Sequence, residues 1–558
     1  MSRSDVISHI PYAPRNGHHQ DAPSSPFPPQ NVAGTCDDNY TPKTYAMDLL
    51  AAAHSELPPA FVVEYVHSLR RLAAELGDEP LTRWGLFAGG GIAGKVNADI
   101  STFLRHEYAI DIRIPSEVMA EKEAEKLEFI QIHHDALRVL SADVAGLVGC
   151  TCCNILTGNP RHVLPDCWLL DGGIPCVSRT SVNMNCAKNI DCVQRKTQDA
   201  TSKGFEHTNQ VVVEHSPKMA WLECVKNLTQ TSSPDNKSDA EYMRDKLRDA
   251  MGWAHYAILD AEHFGARIPR IRCLWAALRN LRGNDAEITA WFDMCCNHLK
   301  TKTPLHNLGD FIAITDAERT ATAKALNFTL LKDLGLRDTK SNVANPEYKL
   351  EHLEIMPAFG ISWPMDIASV STRSKICFAG LLPREREVAV FLDNVFEPKH
   401  DLEIIDINPT LARLLASHWE VQGVSFKADA TPFESGLTVI GSGKLVLRYK
   451  FTGSDIEKNF GSEYGMRVLE GWEVMRMSGW SDTYWNTTAD NGCNFEAHEL
   501  CSNISGNSYC IYQTIPWQMA LFSTFGKFVA ARGEHVMAAE HEDREEGDVE
   551  SISPPSSP

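Results

Sequence analysis

Leu86 to Gly94, LFAGGGIAG, is the stretch on which the fold turns. An apolar strand end running through glycines into a helical pattern is the first turn of a βαβ unit, where glycine lets the backbone approach a ligand and the helix presents its N-terminus. Three templates fit these residues. Gly89, Gly91 and Gly94 satisfy G-x-G-x-x-G, with an acid, Asp111, about 20 positions on, as a dinucleotide site has. Gly89, Gly94 and Lys95 approach a phosphate loop, but Val96 stands where a Mg²⁺-binding Ser or Thr is needed, which makes an ATPase the most distant reading. Phe87, Gly89 and Gly91 give the Phe-x-Gly-x-Gly form of an S-adenosylmethionine loop. In each template an acid at the end of the next strand takes ribose hydroxyls, and Asp111 in YAID is the residue expected there.

Working outward, strand-like and helix-like runs alternate, the pattern of an α/β parallel sheet. Asp143, in LSADV, stands where a third strand ends and offers a carboxylate to the adenine side of a cofactor. WLLDGGIPCVSRTS then reads as a buried strand closing on a Gly/Pro-shaped loop that carries Cys176, where a nucleophile would sit. MAWLECVKNL is another apolar strand, with Glu223 at its C-terminal end. Ligands of open α/β sheets bind at the carboxyl ends of the strands, so Asp111, Cys176 and Glu223 are expected to converge.

Composition bounds the function. The 558 residues exceed the ~250–300 at which single cores stop growing, so a large domain with a second one is expected. A net charge of −20 excludes a protein that coats nucleic acid by bulk attraction; any nucleic-acid site must be a local basic groove. No charged-then-apolar leader opens the sequence and no apolar run nears the ~18 residues of a membrane helix, so the expected location is nuclear if eukaryotic and otherwise cytoplasmic. The 16 cysteines then read as thiols rather than as a disulfide framework. Cys150, Cys152 and Cys153 have no second spaced pair to answer them, and no metal is expected.

The order LFAGGGIAG, GGIPC, LECV and FGARIPRIRCLW resembles the cytosine-5 DNA methyltransferases over most of residues 84–530. Pro175-Cys176 matches that family's nucleophile motif, Glu223 to Val225 its Glu-Asn-Val motif, and Arg270 and Arg272 its Gln-x-Arg-x-Arg motif. Arg467 to Gly479 is similar to its Arg-x-Leu-x-x-x-Glu-x-x-Arg-x-x-Gly stretch, and Gly506, Asn507 and Ser508 to its closing Gly-Asn-Ser turn. The resemblance implies an S-adenosylmethionine-dependent enzyme that flips a cytosine out of double-stranded DNA. In it Cys176 adds to ring carbon 6, Glu223 neutralises ring nitrogen 3, and Arg272, supported by Arg270, holds the carbonyl oxygen. The cofactor would lie on Phe87, Gly89, Gly91, Asp111, Asp143, Asn507 and Ser508. Four positions depart from the pattern: Val177 for Gln, Arg179-Thr180 for a Phe, Cys224 for Asn and Ile268 for Gln. A transfer-RNA methyltransferase of the same mechanism, or a binding protein without turnover, remains beside the main reading.

The expected architecture is a Rossmann-like methyltransferase sheet with a smaller inserted target-recognition domain. Residues 1–40 form a Pro/Ser-rich disordered arm, 41–83 a helical lead-in, 84–300 the catalytic domain, 301–460 the recognition domain, 461–535 the C-terminal return and 536–558 an acidic, Ser/Pro-rich disordered tail. In the inserted part, Leu437 to Phe451 reads as a hairpin turning at Gly441 to Gly443, with Lys444, Arg448 and Lys450 on one face of its second strand. Lys444 and Arg448 are expected to follow DNA phosphates. Ser178 and Arg179, beside the nucleophile, are expected to touch the opened strand. The helix after Gly506 to Ser508 is expected to complete the cofactor pocket.

Overall fold

The computed structural model describes residues 45–530 with breaks, the longest at 312–345, 408–444, 452–461 and 485–502 and shorter ones that include 180–185, 267–269 and 507–508. The expected arm and tail, Lys444, Ile268, Asn507 and Ser508 lie outside the described residues.

Two helices open the described chain, α1 (Tyr45–Ser55) and α2 (Pro59–Leu76). Pro59 supplies a φ suited to the first helical turn, Gly77 closes the helix with φ 60°, and Phe61, Tyr65, Leu69, Leu72 and Leu76 make one buried stripe. The strands β1 (Arg83–Leu86), β2 (Ser116–Ala120), β3 (Val139–Ser141), β6 (Leu169–Gly173), β7 (Met219–Val225), β8 (Trp253–Asp260) and β9 (Ile271–Leu278) then form one seven-stranded sheet. β4 (Thr151–Asn154) and β5 (Asn159–Val163) pair apart from it. The order is β3-β2-β1-β6-β7-β9-β8. The first five strands are parallel and β9 alone runs against its neighbours, which is the Rossmann-like sheet expected of a methyltransferase fold.

The helices α3 (Ile92–Tyr108), α4 (Ala124–His133), α5 (Ala200–His215), α6 (Asp239–Met251) and α7 (Asp285–His298) connect and cover the strands. Because both faces are covered, β1, β2 and the start of β6 and β7 are buried without alternation, Arg83, Ser116 and Glu117 included. Inside the sheet, the Arg83 guanidinium on β1 meets Asp171 on β6, both fully buried.

A second, four-stranded sheet carries β10 (Ser374–Ile376), β11 (Leu402–Asp406), β12 (Leu445–Lys450) and β13 (Tyr464–Val468) in the order β10-β13-β12-β11. The helices α8 (Pro346–Ala358) and α9 (Pro383–Val395) supply much of its own apolar cluster, with Val388, Phe391 and Leu392 against Val446, Met466 and Val468. β12 is interior, with β11 on one side and β13 on the other. The expected first hairpin strand and turn fall on residues that are not described, and the described neighbours come from elsewhere in the chain.

Arg448 corrects an expectation. It faces the same side of the strand as Val446, as the alternation predicts, but that side is covered: its guanidinium is fully buried, bonded to Glu403 across the strand pair at 2.5 Å, to the Phe396 carbonyl at 2.8 Å and facing Asp393 at 3.6 Å. A nucleic-acid phosphate has no access to it.

The chain returns through α10 (Gly471–Met477) to α11 (Ile511–Phe528). Arg467 on β13 makes two 2.8 Å bonds to Glu473 on α10, which explains that motif as a buried clasp. Helix α11 is buried all round, from Ile511 through Gly526, its polar side chains included. No described helix is long and apolar enough to cross a membrane.

Candidate active site

A cavity of about 470 Å³ opens at the carboxyl ends of the parallel strands. Each strand end contributes one wall of it. Phe87 and Gly89 follow β1, Ala120 and Glu121 end β2, Asp143 and Val144 follow β3, Ile174 to Val177 follow β6, and Glu223 and Val225 end β7. Arg270 and Arg272 enter at the start of β9, whose reversed direction sets Arg272 opposite Val225. Gly506, Lys203, Gly204 and His207 also line it, as do Lys122, Glu123 and Lys126 beyond β2.

On one side lies a slot of apolar surface and carboxylates, with Lys122 and Lys126 among them. Phe87 has φ 51° and Gly89 φ 58°, so the backbone turns sharply as it leaves β1. Gly91 caps α3 at φ 76°, and a Cβ there would stand 2.4 Å from His134 Nε2. Gly91 therefore shapes the loop from behind and does not itself line the cavity.

The acid at the end of the second strand is Glu121. It is 8 % exposed and accepts the backbone N–H groups of Gly89 at 2.8 Å, Lys122 at 2.8 Å and Glu123 at 3.1 Å. Asp111 is a correction: it lies before β2, its side chain is 64 % exposed and ion-paired with Arg105, and it does not reach the cavity. Ile110, Ile112 and Ile114 alternate as in a strand, but they bury one side of an extended lead into β2 that bonds to Leu81 and Arg83 outside the sheet ladder. The usable signal was SEVMAE, a short apolar run closed by an acid. Asp143 follows β3 as expected, exposed, accepting the Ala145 N–H at 3.2 Å.

On the other side the four reactive groups come together. Cys176 is partly buried; burial pushes its thiol up, the Glu223 carboxylate adds to that, and Arg272 and Arg270 oppose it. Glu223 and Arg272 form an ion pair at 2.7 Å, with their side chains 13 % and 14 % exposed. Arg270 is buried, donates to the Gly506 carbonyl at 3.2 Å, and is lowered to about 10 by burial and by Arg272. Cys224, where the resemblance leads one to expect Asn, points away from Glu223 into the core and donates its thiol to the Ile174 carbonyl at 3.4 Å.

Ser178 and Arg179 are corrections as well. Both are buried, Ser178 at 5 % and Arg179 at 0 % exposure, and both bond inward. Val177 between Cys176 and Ser178 is the exposed residue of this turn, at 64 %. Lys203 and His207 on α5 were not anticipated; the polar run before TNQVVVEHSP hides a helix whose first turns face the cavity.

These residues suit an adenosyl sulfonium cofactor: apolar surface for a base, carboxylates for hydroxyls, and glycines that let the ligand meet backbone. They equally suit a planar polar ring beside the cysteine, with a carboxylate and two guanidinium groups around it.

No family model matches the chain, and no curated protein does. Among solved structures the chain is similar to the S. pombe Dnmt2 methyltransferase, at 12 % identity and TM-score 0.37, over 79 % of this chain and 98 % of that one. It is similar to the Entamoeba histolytica methyltransferase EhMeth at 10 % identity and TM-score 0.38, over 80 % and 98 %. A putative DNA modification methyltransferase of an E. coli prophage matches at 15 % identity and TM-score 0.24, over 37 % and 49 %. All three of these solved structures are methyltransferases.

Proposed function

We propose that the protein is an S-adenosylmethionine-dependent methyltransferase acting at carbon 5 of cytosine in DNA. The observation that carries this reading is the meeting of Cys176, Glu223, Arg270 and Arg272 in the same strand-end cavity as Phe87, Gly89 and Asp143.

Phe87, Gly89, Glu121, Asp143 and Val144 would hold the cofactor, which when bound supplies an electrophilic methyl on sulfur. Cytosine carbon 5 attacks such a methyl poorly until a thiolate has added at carbon 6, and Cys176 provides that thiolate. Glu223 faces the ring nitrogen and handles its proton as negative charge builds on the ring. Arg272, oriented by that carboxylate, holds the carbonyl oxygen, and Arg270 lends further positive charge from behind. After transfer the carbon 5 proton passes to water, its electron pair re-forms the ring double bond as the bond from carbon 6 to sulfur breaks and Cys176 leaves as thiolate, and ring nitrogen 3 returns its proton to Glu223. A cavity of about 470 Å³ set among strand ends admits a single base, and a duplex must release its cytosine to be served.

The test offers radiolabelled methyl donor with unmethylated DNA, hemimethylated DNA and transfer RNA separately, then sequences the modified cytosines. Label in DNA at carbon 5 is the expected result. Label confined to transfer RNA would move the substrate to RNA with the mechanism kept, and cofactor binding without any transfer would overturn the reading.

A further inference from the structure

The nucleophile loop is held from both ends of the cavity by residues that never face it. After Cys176 the chain turns tightly, with the Arg179 N–H on the Cys176 carbonyl at 2.9 Å. The Ser178 hydroxyl donates to Asp199 Oδ1 at 2.5 Å, and Asn189 donates to the Ser178 carbonyl at 3.0 Å. Asp199 is the N-cap of α5: the same Oδ1 accepts the Thr201 and Ser202 N–H groups at 2.9 and 3.1 Å, while Oδ2 accepts the Thr197 hydroxyl. The fully buried Arg179 guanidinium donates to the Asn227 carbonyl, and Asn227 returns a bond to the Arg179 carbonyl at 2.9 Å. Asn227 lies in the turn directly after β7, the strand that ends in Glu223 and Val225.

We infer that Asp199 and Asn227 are positioning residues, Asp199 through Ser178 and Asn227 through Arg179, which fix the Cys176 thiol in front of Glu223. The loop is thereby tied to the first turn of α5 and to the strand that carries the carboxylate, so nucleophile and acid move as one body. Displacing a reacting group by about 1 Å costs on the order of 10²-fold in rate, which is what two clamps of this kind prevent. Replacing the tether also frees Cys176 from the burial that raises its thiol. The inference rests on the reading of Cys176 as the nucleophile.

Ser178→Ala separates this role from helix capping, because it removes the tether and leaves Asp199 bonded to Thr201 and Ser202. The full chain, with Ser178→Ala, Asn227→Ala and Ser178→Thr variants, is alkylated with iodoacetamide across a pH series, and modification of Cys176 is followed by peptide-resolved mass spectrometry. Ser178→Ala and Asn227→Ala should each alkylate at Cys176 roughly tenfold faster at neutral pH, a midpoint lower by about one pH unit. Ser178→Thr should restore the parent profile. In methyl-transfer assays kcat should fall about tenfold or more in the two alanine variants with KM for the cofactor unchanged. Alkylation profiles and kcat that match the parent in both would overturn the inference. Transfer that survives Cys176→Ser would overturn the functional reading instead, while the alkylation profiles would still decide whether the clamps hold the loop.

Discussion

Cys176 sits in a field that works against it until substrate arrives. Burial and the Glu223 carboxylate raise its thiol, and the two arginines only partly offset them. The sign follows directly: with the thiol raised, the thiolate is the minor form at neutral pH, so covalent capture of a 5-fluorocytosine DNA should quicken about tenfold per pH unit until the thiol's own value is reached. Cys176→Ser should abolish that adduct and leave cofactor binding within about twofold, since the cofactor slot is built from other strand ends. Glu223→Gln should give opposite readouts. Without the carboxylate the thiol falls, so iodoacetamide should label Cys176 faster at neutral pH, while methyl transfer should drop about 10²-fold or more for want of the acid. Labelling and transfer that change in the same direction would argue against this division of roles. Glu121 and Asp111 separate in the same way: Glu121→Ala should weaken S-adenosylhomocysteine binding about ten- to a hundredfold by calorimetry, and Asp111→Ala, which breaks an exposed ion pair with Arg105, should not change it.

At the scale of elements, what the sequence made legible depended on how local the signal was. Cys176 and Glu223 each follow or end a strand marked by its own apolar run, and their convergence follows from one rule about parallel sheets, while Arg270 and Arg272 join them because β9 runs the other way and begins at the same edge. Asp111 failed because an alternation of Ile110, Ile112 and Ile114 is the same whether a segment pairs in a ladder or merely lies along a core. Ser178 and Arg179 failed because polarity was read as exposure, and the partners that bury them, Asp199 and Asn227, lie 21 and 48 residues away in the chain. β12 shows both outcomes together. Its two faces alternate as read, yet α9 and Glu403 cover the face that carries Arg448. Arg448→Ala should therefore destabilise the protein by about 3–5 kcal/mol, because two carboxylates lose the charge they were buried with. It should leave the salt dependence of nucleic-acid binding by the folded fraction unchanged. A lower slope with an unshifted thermal transition would return this arginine to the nucleic-acid surface.

For the molecule as a whole, the described chain is closed by α11, which crosses α2 at the other end of the sequence. At Gly526 the approach is so close that a Cβ would lie 1.9 Å from the Ser68 carbonyl oxygen and 3.1 Å from the Leu72 nitrogen, both backbone atoms of α2 that cannot rotate aside. The same helix reaches the chemistry: Gln513 donates to the Leu259 carbonyl at 2.8 Å and to the Arg270 carbonyl, and Trp517 donates to the Trp275 carbonyl at 3.2 Å. The helical lead-in and α11 thus pack against the arginine strand, and α11 lies behind the sheet rather than over the cofactor slot, where it was expected; there Gly506 alone of the described return lines the cavity. Gly526→Ala should force α2 and α11 apart. Overpacking of this kind costs about 1–3 kcal/mol when side chains can yield, and here the atoms in the way are main chain, so about 3 kcal/mol or more is expected. Hydrogen exchange resolved by segment checks the route as well as the size. Protection should fall together in α2, in α11 and around Arg270, and stay at its parent level in α9, whose apolar cluster with Val446, Met466 and Val468 contains no residue of either helix. Loss confined to the end of α11 would mean that the helix frays there and that the arginines are held without it.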